Sequence, residues 1–385
     1  MKRTKPHIAR YPLEQFLGRE GKSLDKNEVL AVVKDTGVLE PVEVELIEEE
    51  EGLILCVTVE EKWAIFPIPL VIGGSGGTNF GIFFADTNAF GLRDQAALGG
   101  MYGSSGIFAM AVYRHTPARR RLPGWNSFFM YGRREQEDLD RDERIHRLYT
   151  IDQLRLSLGL FYPFSGHITG SAAFSFTDIS PKENPKKNID AINTPENGVR
   201  ILGFTPGLSL RYSSWDGFLL SQKSLSLDYS YNAALVEFAP SFHQVDFRGI
   251  YEQSLVPGLR FILRSGAVVK SGFSGGPMDS FFEEGPQKAQ VDILPRKFSA
   301  LHYAGFSTGF EKSLFNVKWG TFSVLGSWQC VFSRGPISGD EFDQGPSGGF
   351  RFYLRRLALP ALGANLAYNM YSGLYQFVFS LGMEF

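Results

Sequence analysis

The last eleven residues, Tyr375-Gln-Phe-Val-Phe-Ser-Leu-Gly-Met-Glu-Phe385, alternate without a break. Successive side chains of a strand point to opposite faces. Tyr375, Phe377, Phe379, Leu381, Met383 and Phe385 therefore share one face, and Gln376, Val378, Ser380, Gly382 and Glu384 the other. The first face is apolar and largely aromatic; the second is small or polar. An apolar strand at the free edge of a soluble sheet invites aggregation. A closed barrel in a membrane has a use for it, with lipid on one face, the lumen on the other and no edge.

The same period continues from Ile65 onward, where helical periodicity disappears. Sixteen strands are predicted, at 65–73, 77–86, 92–102, 105–115, 125–133, 150–163, 167–178, 199–212, 219–231, 235–249, 257–270, 303–314, 318–333, 348–357, 362–370 and 375–385. Many reach the ~10 residues that a tilted membrane strand requires. Leu154, Leu156, Leu158 and Leu160 alternate clearly, as do Ala172, Phe174 and Phe176, and Phe204, Leu208, Leu210 and Tyr212 around Pro206. An even number of strands puts both ends of the barrel on one side. The short connections Asp86–Gly91, Tyr162–Gly166, Ser213–Gly217 and Leu359–Gly363 then fall on that side. The segments 134–149, 179–198, 271–302 and 334–347 become long loops opposite, as in outer-membrane barrels.

Residues 1–63 follow another pattern. Ser23 caps a predicted helix in which Leu24, Val29, Leu30 and Val33 share a face, and Gly37 stops it. Val42, Val44 and Leu46 alternate with Glu43 and Glu45, and Leu53, Leu55, Val57 and Val59 with Ile54, Cys56, Thr58 and Glu60. The acidic run Glu48–Glu51 before Gly52 is a solvated hairpin turn. Helix, strand, turn and strand make a small α/β module whose own first strand and helix are expected to be missing or degenerate. The fold class is thus mainly β: a 16-stranded antiparallel transmembrane β-barrel at 64–385 preceded by a short, partial α/β module at 1–63.

Composition narrows the function. The chain has 34 Phe, 15 Tyr and 42 Gly against two Cys, which suits a barrel whose strands are half apolar. No run of ~18 apolar residues marks a transmembrane helix. A net charge of −2 gives no electrostatic case for nucleic acid. Cys56 and Cys330 lack metal-ligand spacing and are expected to be packed or lipid-facing thiols, and the six His residues form no zinc motif. No metal or cofactor is expected. Gly73-Gly-Ser-Gly-Gly77 matches the string of a serine hydrolase elbow, but strands flank it and no helix follows, so it reads as a pliable hairpin and the chain as no enzyme. Arg119-Arg-Arg121 reads as a headgroup contact or a solvated turn. The basic start, Met1 to Arg10, lacks the apolar core of a signal peptide. An outer-membrane protein must cross an inner membrane, so the chain is expected to be a mature or trimmed form, to have a misplaced start, or to belong to an organelle.

Taken in order, these segments resemble the BamA/TamA superfamily of outer-membrane assembly and translocation proteins, with their periplasmic POTRA modules. Gly37-Val-Leu-Glu-Pro-Val-Glu-Val44 and Leu53-Ile-Leu-Cys-Val-Thr-Val-Glu-Glu-Lys-Trp63 resemble the last two strands of such a module entering its barrel. Gly73 to Gly81, then Asp86-Thr-Asn-Ala-Phe-Gly91, resemble the first hairpin and first periplasmic turn. Gly348-Gly-Phe-Arg351 and Ala361 to Tyr368 resemble the penultimate strands, and Tyr375 to Phe385 the closing one.

The resemblance implies a long loop, here 271–302, folded into the lumen with an Arg set against acidic wall residues. Its nearest motif is Pro295-Arg-Lys-Phe298, so the expected lock is Arg296 with Phe298 against Glu311. Phe247-Arg-Gly-Ile250 is a closer string match but falls near a short turn, and the second wall acid is replaced by Gln329 and Cys330. The first and last barrel strands form the other expected site, a lateral seam weakened by Pro67, Pro69, Gly73, Gly74, Gly76 and Gly77 facing Phe379, Leu381 and Phe385. A client would meet the module first along Val42, Val44 and Leu46. The implied partners are unfolded outer-membrane or secreted polypeptides, the lipid bilayer with lipopolysaccharide, and periplasmic accessory proteins. The implied function is insertion of outer-membrane proteins through the seam. A passive channel or structural barrel, or a dedicated polypeptide exporter, are the alternatives.

Overall fold

The computed structural model describes residues 3–18, 24–34, 36, 38–49, 52–74, 77–104, 106–117, 122–139, 144–165, 167–182, 195–215, 219–237, 239–273, 277–295, 298–317, 320–335, 339–354 and 360–381. Helices α1 (Pro6–Leu13) and α2 (Lys26–Lys34) pack on a hairpin of β1 (Leu39–Glu49) and β2 (Gly52–Glu61). Ile8, Phe16, Val29, Val33 and Val44 form the core between them. The face predicted for α2 is the buried one, while Ser23 and Gly37 lie outside the described residues. Helix α1 is present where a missing or degenerate helix was expected. It starts on Pro6, whose absent N–H would have no helical partner there, and Pro12 keeps it short enough to leave little periodicity. A bulge between Pro41 and Glu43 takes Val42 out of the predicted alternation. Cys56 stands exposed on the hairpin's outer face, neither packed nor in lipid, whereas Cys330 is half-buried in the barrel wall.

Sixteen strands of the described residues then close into an antiparallel ring: β3 (Ile65–Gly74), β4 (Gly77–Ala89), β5 (Asp94–Gly103), β6 (Gly106–His115), β7 (Gly124–Leu139), β8 (Ile145–Pro163), β9 (Ile168–Lys182), β10 (Val199–Trp215), β11 (Leu220–Ala234), β12 (Phe242–Val256), β13 (Leu259–Ser271), β14 (His302–Val317), β15 (Gly320–Gly335), β16 (Gly339–Leu354), β17 (Pro360–Tyr368) and β18 (Tyr375–Leu381). Each pairs with its neighbour in sequence, and β18 pairs with β3. Among the described residues no helix is long and apolar enough to cross a membrane; the strands do so. Their outward positions carry Phe80, Ile82, Phe84, Leu158, Leu160 and Phe174 in the open. Such a continuous apolar belt is the lipid-facing surface of a transmembrane barrel.

Three sequence expectations need correction. The strand predicted at 235–249 is β12, seven residues later, because the run around Pro240 is a turn. Segments 134–149 and 334–347 are largely strand: Glu135 pairs with Thr150, and Ser333 with Glu341. Beyond the lipid a strand no longer needs an apolar face, so its period-two signal fades although its ladder continues.

The module is tied to the barrel at the first short turn. The backbone N–H groups of Arg3 and Thr4 donate to Glu61 at 3.0 and 2.7 Å, Asn88 donates to the Thr4 hydroxyl at 2.8 Å, and Lys5 N–H to the Gly91 carbonyl at 2.8 Å. Gly91 has φ +73°, and a Cβ there would stand 2.0 Å from the Arg3 carbonyl oxygen, so both backbone angle and space require glycine.

The wall predicts an asymmetric response to charge. Phe174, 64% exposed on β9, faces lipid, and its neighbour Ser175 lines the lumen. Phe174→Arg should cost about 2–4 kcal/mol in urea unfolding from vesicles, and Ser175→Arg clearly less; equal penalties would contradict this orientation of β9.

Candidate functional site: the lumen loop and the closing seam

Between β13 and β14 the chain turns inward and fills one side of the lumen. Two short 3-10 turns, Pro277–Phe282 and Pro286–Ala289, and a bridge between Glu284 and Ala300 give it shape. Ala289, Val291, Ile293, Leu294, Phe298 and Ala300 bury against Val268, Tyr303, Val331 and Ala367 of the wall. Phe282 and Leu301 join a second cluster with Tyr149, Ile151, Ile201 and Phe242. The wall makes room with glycine: a Cβ at Gly266 would lie 2.1 Å from the Lys288 carbonyl oxygen.

Polar contacts hold the loop at three levels. Lys288 reaches Asp246 of β12 at 2.9 Å, Lys270 of β13 reaches Glu284 at 2.9 Å, and Arg147 of β8 pairs with Glu283. Tyr149 and Ser280 share a hydrogen bond at 3.2 Å. Deeper in the lumen, Asp292 N–H donates to the Gln329 side-chain oxygen at 2.7 Å, and the Asn365 amide donates to the Asp292 carboxylate at 2.8 Å. Gln329 also donates to Ser347. The residue that stands where a wall acid was expected thus grips the loop by its backbone. Asp292, Asn365 and Gly266 were missed in the sequence; glycine 266 inside a strand pattern was the one signal of a close backbone approach.

Glu311 is fully buried on the inner face of β14. Arg260 donates to it at 2.7 and 3.2 Å, Tyr353 at 2.8 Å and Arg351 at 3.3 Å, with Ser323 as a further donor. Arg260 also holds Glu252 at 2.9 Å, and Arg264 binds the other oxygen of that carboxylate at 3.2 Å. These partners come from β12, β13, β15 and β16, so the network rivets the wall together. Arg296, the expected partner of Glu311, lies outside the described residues, as does Lys297. Phe298 is buried, and its carbonyl accepts from Tyr303. The rival string Phe247–Ile250 sits midway along β12, not at a turn, with Arg248 directed inward.

At the seam, Val378, Phe379, Ser380 and Leu381 face Gly74, Gly73, Ile72 and Val71. Those are four register pairs among the described residues, against ten between β3 and β4 and seven between β17 and β18. Pro67 and Pro69 pair with Phe84 and Ile82 of β4, below the described part of the seam. Gly77 begins β4 opposite Gly74; Gly76 and Phe385, like Ser75 and Arg119 to Arg121, lie outside the described residues. Ser380 is opposite Ile72, so a cross-seam cysteine pair belongs at 72 and 380. In the module, Val44 is buried under the helices, Leu46 is half-buried and Val42 is 56% exposed in its bulge. The three do not form one apolar stripe.

Removing the shared carboxylate tests the wall network. Glu311→Ala leaves buried Arg260 without its main counter-charge and should cost about 3–5 kcal/mol, read as a lowered urea midpoint of the reconstituted barrel. A midpoint within error of wild type would show that the network contributes nothing.

No family model matches the chain, and no curated protein matches it in sequence. Solved structures match its shape. BamA from Haemophilus ducreyi, in a form lacking POTRA domains 1-3, aligns over 99% of this chain and 82% of its own at 12% identity, with a TM-score of 0.64. CdiB from Acinetobacter baumannii aligns over 98% and 71% at 12% identity and TM-score 0.64. CdiB from Escherichia coli aligns over 97% and 74% at 12% identity and TM-score 0.65. With its module-first order, sixteen strands and seam between first and last, the chain has the barrel fold seen in BamA and CdiB.

Proposed function

We propose that this barrel handles polypeptide clients in an outer membrane, inserting them through the β3–β18 seam, with residues 1–63 as a partial POTRA-like module in the periplasm. The short described seam is the observation that carries this reading. A barrel strand in lipid must have both edges bonded, so the pair with the fewest register partners among the described residues is where the ring would open at least cost. An opened β3 or β18 offers a row of unpaired backbone groups that a client strand can join by β-augmentation, main-chain bonds giving affinity and alternate side chains giving fit. No covalent chemistry is needed. In the module, β1 has β2 as its sheet partner among the described residues, which leaves its other main-chain edge as the first contact for a client.

A second reading is export of one polypeptide through the lumen. It is favoured by the side of the lumen that the loop leaves unfilled. The two readings separate by where a client crosslinks, to the seam strands or to the inner wall opposite the loop.

Ile72→Cys with Ser380→Cys, in a background free of Cys56 and Cys330, tests the seam. In proteoliposomes the oxidised pair should abolish accelerated folding of an added outer-membrane protein, and reduction should restore it. Full activity of the locked barrel would reject lateral insertion.

A further inference from the structure

The loop occupies one side of the lumen. Between it and the inner face of β7 to β12 lies a cavity of about 620 Å³. Most charges that border it are matched: Lys270 with Glu284, Lys288 with Asp246, Arg147 with Glu283. Arg155 and Arg248 line the same cavity, about midway along β8 and β12. Arg155 stands 6.0 Å over the ring of Phe128. Arg248 lies within the field of Asp228 and Lys288 without closing an ion pair.

Two more arginines continue this line toward the module side. Alternation with outward Ile107 turns Arg114 inward near the end of β6, where it stands 4.6 Å over the ring of inward Phe161. Alternation with outward Leu208 and Tyr212 turns Arg211 inward near the end of β10, within electrostatic reach of Arg114. Alternate strands β6, β8, β10 and β12 therefore each supply one inward guanidinium besides Arg147, which Glu283 matches. None of the four has a carboxylate within ion-pair distance among the described residues. The inward carboxylates described on these strands and β11 are Asp228, Asp246 and Glu252. Asp246 is held by Lys288, and Glu252 by Arg260 and Arg264. That leaves Asp228 against four arginines.

A guanidinium stays charged at any physiological pH and is weakly hydrated. Fixed charges of one sign in a narrow, low-dielectric passage concentrate the opposite ion, and arginine-lined constrictions serve anion pores. The aromatic partners of Arg114 and Arg155 fix the side chains without cancelling their charge. We infer that the side of the lumen opposite the loop is a conducting path for small inorganic anions, selected by the column of Arg114, Arg155, Arg211 and Arg248. This path does not depend on the seam or on any client.

The test is the reversal potential of the purified full chain in a planar bilayer under a potassium chloride gradient. Wild type should favour chloride by about tenfold, the low end of what focused fixed charge gives. Arg155→Gln with Arg211→Gln should bring the ratio toward unity, and Asp228→Asn should raise it. Lys223→Gln should leave it unchanged, since Lys223 lies on the outer face against the ring of Tyr251. Heat-dependent gel migration would confirm that each variant is a folded barrel. A wild type that prefers potassium or does not conduct overturns the inference, as does a folded double variant that keeps full chloride preference.

Discussion

Inside a bilayer there is no water to satisfy a backbone N–H or C=O, so each strand needs a neighbour on both edges. That requirement runs around sixteen strands of this chain and, among the described residues, is met by the fewest register pairs where β18 meets β3. The rest of the structure follows from closing this ring. Closure turns one set of alternate side chains toward lipid and the other toward a lumen. It brings β3, which leads out of the module, beside the strand that ends the described barrel. It also means that no strand can leave the ring without exposing its neighbour, so any opening concentrates at the pair that holds least.

A lumen of this width has to be occupied or wetted, and here it is both. The loop meets the wall through two apolar clusters and through scattered polar contacts. A neutral hydrogen bond such as Asp292 N–H to Gln329 is worth only about 1 kcal/mol net. The Glu311 network differs in that several strands share one desolvated carboxylate, whereas the loop's own desolvated pair, Arg147 with Glu283, joins one strand to the loop. Breaking the network strands a buried charge, which costs several times more. The wall is therefore fixed around one shared carboxylate, and the loop by separate ion pairs, hydrogen bonds and apolar contacts.

The barrel was legible in the sequence because lipid imposes a period of two wherever it touches the chain. Leu154, Leu156, Leu158 and Leu160, or Tyr375, Phe377 and Phe379, have no other reason to alternate. Where lipid ends, the signal ends too, which is why the ladder of Glu135 with Thr150 was read as loop. Prolines did not read alike: Pro240 marks a turn inside what looked like a strand, whereas Pro206 sits within β10, paired with Ala172, as the alternation around it predicted. The lumen site was less legible because its partners are set by the fold, not by spacing. Glu311 was visible as an acid on an inward position, but Arg260, fifty-one residues earlier, meets it only because β13 and β14 pair across the loop. Asp292 and Gln329 lacked any motif, since an amide that accepts from a backbone N–H leaves no pattern in sequence.

Loop and seam are joined through one row of the sheet. Asp292 binds the side chain of Asn365 on β17. Asn365 is the register partner of Val378 on β18, and Val378 is in turn opposite Gly74 across the seam. The loop thus braces, from inside, the strand next to the one that closes the ring. While Asp292 is in place, Asn365 is held from the lumen and β17 presents a fixed edge to β18. Under the proposed lateral insertion, withdrawing the loop would remove that support, at the cost of its ion pairs as well as hydrogen bonds and apolar contact, and the neighbouring strand would gain freedom where the seam has its glycines. Among the described residues the neighbours of the seam are unequal: β4 holds β3 through ten pairs, and β17 holds β18 through seven, with the loop bracing β17 from the lumen. Lateral opening, as proposed, would accordingly begin by β18 moving away from β3, with β17 yielding behind it and β3 staying with the module, to which the first turn is tied through Thr4 and Lys5.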